Sequence, residues 1–407
     1  MDAATDSVMG AGRRLYFDNA ATSFPKPPSV HEAMARYATE LGASPGRGSY
    51  RESVDGAALI WQCRERLCRL FGGTSPEHVI FTLNTSDALN LAIRGLTLDR
   101  LMQGTPTHIV TTAMDHNSVL RPLNALRRFG LEWTCVEVDP ATGIVDSDDV
   151  LAAVRDDTVM VAAVHASNVT GTLQPIGEIG RRCRERGVLL LVDAAQSVGH
   201  VPVDVEANCI DLLAFPGHKG LLGPLGTGGL YIRPELEDVI EPVREGGTGS
   251  VSESDEHPVT MPDRYEPGSH NTIGLIGLSE GVRWILDRGI GSIRAHEESL
   301  MRVMMDRLPG SDAGLRVLGP AAIEDRVGVF SVVHESLDAA TLAAALESHA
   351  GVLVRSGLHC APRAHGTFGT LGEGGACRLS LGPYLTEADC DVACSALEEI
   401  CRSAAAV

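Results

Sequence analysis

The stretch VLLLVDAAQSVGH, residues 188–200, decides the fold. Its first five residues, Val188 to Val192, are all apolar and leave no polar face. A strand of that kind is buried on both sides, as in a parallel sheet covered by helices. The run ends abruptly on Asp193, with Gln196 close behind. In an open parallel sheet, ligands bind beyond the carboxyl ends of the strands.

Working outward, short apolar strands alternate with amphipathic helices. Strands are expected at 79–82, 108–112, 159–164, 211–215 and 229–232. Helices are expected at 57–71, 87–94, 119–129 and 176–186. This alternation argues for an α/β fold with a mostly parallel sheet between helices. Composition shifts at 244–271, a stretch rich in Gly, Ser, Pro and charge, which reads as a functional loop before a long helix starting near Ile273. Residues 290–407 read as an α+β module with a strand at 327–333 and helices at 342–348 and 388–402. The expected organisation is a loose N-terminus at 1–15, a large domain at 16–260 and a smaller one at 261–407. The segment 16–30 is free to pack with the small domain.

Composition narrows the function. The 407 residues are 44% hydrophobic and 21% charged, as in an ordinary globular protein. Acidic residues outnumber basic ones 53 to 34, a net charge of −19 that disfavours nucleic acid and anionic lipid as partners. Only two of the basic residues are lysines, Lys26 and Lys219, so primary-amine chemistry has two candidates. The ten cysteines form no C-x-x-C pair, and no metal site is expected. Residues 1–17 lack an apolar signal core, and no apolar run is long enough for a bilayer. The expectation is a cytoplasmic protein with reduced thiols.

Five expected strand ends carry polar groups: Thr85 with Ser86, His116, Asn168, Asp193 with Gln196, and His218 with Lys219. Singly, each has an ordinary reading. Thr85 and Ser86 suit a helix cap, Asp193 a turn, and His116 a surface or capping position. Lys26 lies in Phe-Pro-Lys-Pro-Pro, where prolines favour an extended segment with the amine in water. Together they suit pyridoxal phosphate, which needs a lysine for a Schiff base and an acidic partner for its ring nitrogen. It also needs a phosphate cradle of the kind a helix N-terminus supplies. Lys219, Asp193, and Thr85 with Ser86 meet those needs. His116 would lie over the ring; Asn168 and Gln196 would reach its hydroxyl.

The chain resembles the class V, fold-type I pyridoxal-phosphate enzymes of the cysteine desulfurase and selenocysteine lyase-like family. The resemblance rests on YFDNAATSFPKP, FTLNTSDALNLAI, the DHNS at His116, SNVTGTLQPI, VDAAQSVGHVPVDV, AFPGHKGLLGPLGTGGLYI and VRSGLHCAP. It implies a seven-stranded, mostly parallel sheet plus a smaller α+β domain. It also implies that Lys219 holds the cofactor and moves a proton. Asp193, Gln196, Asn168, His116, Thr85, Ser86 and His218 would bind the cofactor, and Thr248 would reach it from the other subunit of a homodimer. Arg378, with Arg355 near it and Asn168, would bind the substrate carboxylate. Cys360 would accept sulfur from L-cysteine as a persulfide, with alanine as the other product and an unidentified acceptor protein downstream. His359 is a candidate helper for the Cys360 thiolate. L-selenocysteine is the close alternative substrate; aminotransferase, epimerase or other C–S lyase activity and a silent scaffold are the remaining alternatives.

Two features depart from the resemblance. Pro216 stands where the family usually has Ser or Thr, so one phosphate contact is expected to be missing, worth roughly 1 kcal/mol. Residues 363–376, RAHGTFGTLGEGGA, read as a mobile lid or docking loop.

Overall fold

The computed structural model describes residues 14–46, 48–309 and 313–405. Most of the expected loose N-terminus, residues 1–13, lies outside the described residues. The chain opens with β1 (Leu15–Tyr16), α1 (Pro28–Arg36) and α2 (Arg51–Leu70). The large sheet then builds up through β2 (Val79–Thr82), α3 (Thr85–Met102), β3 (His108–Thr112), α4 (Asn117–Leu126), β4 (Glu132–Val136), α5 (Ser147–Ala152), β5 (Thr158–Val164), α6 (Ile176–Glu185), β6 (Leu189–Asp193), β7 (Leu212–Pro216) and β8 (Gly228–Ile232). Its strand order is β2-β8-β7-β6-β5-β3-β4, with β8 antiparallel to both neighbours and the rest parallel to one another.

The burial of β6 shows why 188–192 is uniformly apolar. Leu190 and Val192 enter the core on one face with Ile176 and Ile179. Leu191 enters the opposite core with Leu89 and Ile93. All three are fully buried, each contributing about 1.5–3 kcal/mol by leaving water. The one strand of this sheet that was not foreseen, β4, lies at the sheet edge and has only one buried residue, Val136. Its sequence, Glu-Trp-Thr-Cys-Val, therefore lacks the apolar run of an inner strand.

Residues 244–271 contain no helix or strand. After them come α7 (Thr272–Arg288), α8 (Ile290–Arg307), β9 (Leu315–Val317), β10 (Val329–His334), α9 (Ala339–Ala350), β11 (Val352–Leu353), β12 (Arg355–Gly357), α10 (Pro362–Thr367), β13 (Ala376–Ser380) and α11 (Glu387–Ala405). The second sheet is antiparallel, in the order β12-β13-β10-β9. Leu300, Met304, Phe330, Leu346 and Leu397 form its core. Helix α7 packs on α1 and α2, although the sequence division at 260/261 groups it with the C-terminal unit. The first segment crosses over: Leu15 and Tyr16 pair in parallel with Val352 and Leu353, and Ser380 donates its N–H to the Phe17 carbonyl at 2.6 Å. Glu297 of α8 ties the two sheets together, accepting from His200 at 2.9 Å and from the Gly328 N–H at 3.0 Å.

Candidate active site

The carboxyl ends of β2, β3, β5, β6 and β7 open onto one cavity of about 130 Å³. Thr85, Ser86, His116, Asn168, Asp193, Gln196, His218 and Lys219 all line it. Eight residues nominated from five separate strand ends thus meet in one place.

Lys219 follows β7, and Asp193 is the last residue of β6, its neighbour in the sheet. Burial lowers the Lys219 amine to about 8, with the Arg378 and Arg355 charges adding to the effect and the Asp193 charge opposing it. Burial raises the Asp193 carboxyl, while the Ala195 N–H, donating to Oδ1 at 3.0 Å, and the Lys219 charge lower it. A cationic ring nitrogen beside this carboxylate would favour its ionised form.

His116 is the N-cap of α4. Its Nδ1 accepts the Ser118 N–H at 3.1 Å, and the Ser118 hydroxyl lies 2.9 Å from the same nitrogen. A backbone N–H only donates, so Nδ1 carries no proton and the neutral ring keeps its proton on Nε2. Burial, then the Lys219, Arg121, Arg355 and Arg378 charges, hold His116 at about 4. It is a neutral imidazole at physiological pH.

The start of α3 makes an anion cradle. Asn84 caps the helix by accepting the Asp87 N–H at 3.0 Å. The N–H groups of Thr85 and Ser86 have no intrahelical partner, as the first turn of any helix dictates. The Ser86 and Ser118 hydroxyls lie 2.6 Å apart. His218 Nδ1 is buried without a partner. Pro216 ends β7 and contributes neither hydroxyl nor N–H.

Arg378 on β13 is buried; its guanidinium donates to Asp18 at 2.8 Å and to the Asn168 carbonyl at 3.0 Å. Its Nε has no partner. Arg355 sits directly opposite it on β12 and is exposed. Asn168 donates one amide hydrogen to the His359 carbonyl at 2.6 Å, and its Oδ1 is buried and unpaired. Gln196 donates to the Ala20 carbonyl at 2.9 Å.

Cys360 is exposed, on the short connection between β12 and α10. His359 and Cys360 have φ of +49° and +58°. Two consecutive left-handed residues other than glycine cost roughly 1–2 kcal/mol each. The strain is held by bonds to both carbonyls: Asn168 to His359, and the Asn117 N–H to Cys360 at 2.9 Å.

Residues 15–392 match the family model for aminotransferase class V. A probable cysteine desulfurase of Methanothermobacter thermautotrophicus is 35% identical over 389 residues, covering 95% of this chain and 94% of that protein. A cysteine desulfurase of Haloferax volcanii is 33% identical, covering 87% and 82%. The apo structure of a cysteine desulfurase from Thermococcus onnurineus superposes with a TM-score of 0.88 at 34% identity, covering 96% of this chain and 95% of that one.

The chain belongs to the class-V aminotransferase family.

Within the class-V fold, the cavity has the donor set pyridoxal phosphate requires. An amine and a carboxylate stand on adjacent strand ends, the first turn of a helix lines the cavity with N–H groups that lack intrahelical partners, and unpaired polar atoms on His218 and Asn168 are available to a ligand. Thr248 lies apart, lining a separate groove with Ser44, Trp61, Arg64 and His270.

Three expectations are corrected. Lys26 is not solvated. Its amine donates to the Ser23 hydroxyl at 2.8 Å, the Ser23 carbonyl at 3.0 Å and the His218 carbonyl at 3.1 Å, and burial lowers it to about 8. His359 brings no positive charge to Cys360: burial, then the Arg378 charge, hold it at about 2. The stretch 363–376 begins with α10, and His365 and Thr370 within it are fully buried. One of its glycines, Gly375, answers to close approach: a Cβ there would stand 2.1 Å from the Gly357 carbonyl oxygen.

Asp18 and Asp115 were not singled out from the sequence. Asp115 is buried and accepts from the Thr112 N–H, the Val164 N–H and two threonine hydroxyls, clamping β3 to β5 just before His116. Both lie within motifs already quoted, YFDNAATSFPKP and DHNS, but each also depends on a contact distant in sequence, Asp18 on Arg378 and Asp115 on Val164.

Proposed function

We propose that this protein is a pyridoxal-phosphate-dependent cysteine desulfurase. It converts L-cysteine to L-alanine and carries the sulfur as a persulfide on Cys360 for delivery to an acceptor protein. The observation that carries this reading is the bond from Asn117 to the Cys360 carbonyl. It brings the backbone of the exposed Cys360 next to His116, which lines the same cavity as Lys219 and Asp193.

When bound, the cofactor supplies an electron sink for the substrate α-carbon. Lys219 would hold it, and the amine of Lys219 would take the substrate α-proton and return it. Asp193 would favour a protonated ring nitrogen beside its carboxylate. His116 would be among the residues that hold it and would offer a proton from Nε2. Thr85, Ser86 and His218 would bind the phosphate, and Gln196 and Asn168 would offer amide hydrogens to the ring oxygen. Arg378 meets the substrate carboxylate with Arg355 beside it; a guanidinium suits that task by its fixed fork of donors. The Cys360 thiolate attacks the substrate sulfur; the C–S bond breaks, and its electron pair stays with the carbon skeleton that becomes alanine.

Thr248, outside the cavity of its own chain, is assigned to the phosphate of a second copy, which makes the working unit a homodimer. The protein is assigned to the cytoplasm, where its ten thiols stay reduced. Among the described residues, no helix is long and apolar enough to cross a membrane.

The test is mass spectrometry of the Cys360 peptide after L-cysteine is added to the purified protein. A mass increase of one sulfur, absent from the Cys360→Ser protein, is expected. An unmodified peptide alongside continued turnover of cysteine would refute the role of Cys360.

A further inference from the structure

Behind Cys360 lies a chain of buried polar groups that the proposed chemistry does not use. The Thr370 hydroxyl is 2.7 Å from His365 Nδ1. His365 Nε2 is 3.3 Å from His359 Nδ1, and His359 Nε2 is 3.4 Å from the Arg355 carbonyl. Thr370 and His365 are fully buried and His359 nearly so.

One end of this chain fixes every proton in it. A carbonyl only accepts, so His359 Nε2 carries a hydrogen and His359 Nδ1 has a lone pair. That lone pair requires the hydrogen of His365 on Nε2. His365 Nδ1 then accepts from the Thr370 hydroxyl. Every bond runs in one direction, from Thr370 to Arg355, with both rings neutral. Burial favours the same neutral state in both histidines.

We propose that this Thr370–His365–His359 chain is the mount of the sulfur-accepting loop, and that His365 and Thr370 are positioning residues for Cys360. His359 and Cys360 hold a left-handed backbone that their side chains do not favour. The carbonyl bonds from Asn168 and Asn117 fix the loop from the large-sheet side. The histidine chain fixes it from the opposite side, by holding the ring of His359. It also keeps that side uncharged, so the buried Arg378 is not crowded by an imidazolium. The close packing of Gly375 on Gly357 brings Thr370 and His365 against the same loop.

This inference rests on the desulfurase reading, and the two fail differently. In wild-type protein, persulfide on Cys360 after L-cysteine tests the activity; its absence removes both. With wild type active, His365→Leu removes both ring nitrogens while keeping bulk. Its kcat for persulfide formation should fall up to about 100-fold, the scale of an ångström misplacement. KM for cysteine and the absorbance of bound cofactor should hold. Thr370→Val should fall in the same direction and Thr370→Ser should recover most of the rate; this pair carries the test if His365→Leu does not fold. Independently of activity, hydrogen exchange in the peptide 355–362 should quicken about tenfold in the two impaired variants. Unchanged kcat and exchange in Thr370→Val, or equal loss in Thr370→Ser, overturns the proposal.

Discussion

The backbone N–H of Asn117 donates to the carbonyl of Cys360 across 2.9 Å. It is the first helical residue of α4, where an N–H has no intrahelical acceptor. The bond therefore costs the helix nothing and ties a loop of the second sheet to the large one. Proline is well suited to this position; it puts a ring carbon in place of the hydrogen and removes the asparagine side chain. The preceding residue, His116, already has φ −71° and ψ 154°, the conformation a following proline demands. Asn117→Pro should thus fold, with stability changed by less than about 1 kcal/mol because a lost hydrogen bond offsets a stiffer unfolded chain. Persulfide formation on Cys360 should fall about tenfold, consistent with a modest displacement of the thiol. A variant of wild-type rate would show that this bond does not place Cys360.

His116 should stay neutral through the physiological range. Burial and the nearby cations hold it at about 4, so its ring carbons should show no titration in an NMR series from pH 8 to 5 on the protein without cofactor. A midpoint near the ordinary histidine value, about 6.5, would contradict the burial and charge assigned to it.

Lys219 predicts how cofactor uptake depends on pH. Only the neutral amine attacks an aldehyde, and burial sets its midpoint at about 8. The uptake rate should climb about tenfold per pH unit below 8 and level off above it, whereas an ordinary lysine would keep climbing toward about 10.4. The measurement is cofactor absorbance after mixing, at a series of pH values. Lys219→Ala should leave no pyridoxyl group on its peptide after borohydride reduction.

Asp18 and Arg378 join the first segment to the last sheet at 2.8 Å. Asp18→Ala leaves a buried guanidinium with the Asn168 carbonyl as its remaining partner. The expected loss is about 2–3 kcal/mol by urea denaturation, below the full figure for a buried pair because Asp18 is partly exposed. Arg378→Lys loses the fork and should raise KM for cysteine at least tenfold. An unchanged KM would place the substrate carboxylate elsewhere.

How much of this was legible in the sequence follows a physical line. Val188 to Val192 announced a strand buried on both faces because periodicity is local, and the polar residues after each strand followed from topology. Edge strand β4 was invisible because its exposed side needs no apolar run. Asp115 was passed over because its donors span β3 and β5. The glycines of 363–376 looked like freedom, whereas Gly375 is required by contact with Gly357, eighteen residues earlier. Lys26 was misread because flanking prolines describe its backbone and say nothing about where its amine ends.

That misreading can be settled by stability. A solvated Lys26 would titrate alike in folded and unfolded chains and make no difference to how stability varies with pH. The half-buried Lys26 has its midpoint lowered to about 8 when folded, against near 10.4 when unfolded. Between these values the unfolded chain binds more protons, so this group makes stability rise with pH. Lys26→Met lacks the effect, while Lys219 contributes equally to both proteins. Wild type should therefore gain on Lys26→Met as the pH of a urea titration moves from 8 to 10. A constant gap would return Lys26 to solvent; a widening one fixes its amine on the His218 carbonyl, one residue before Lys219.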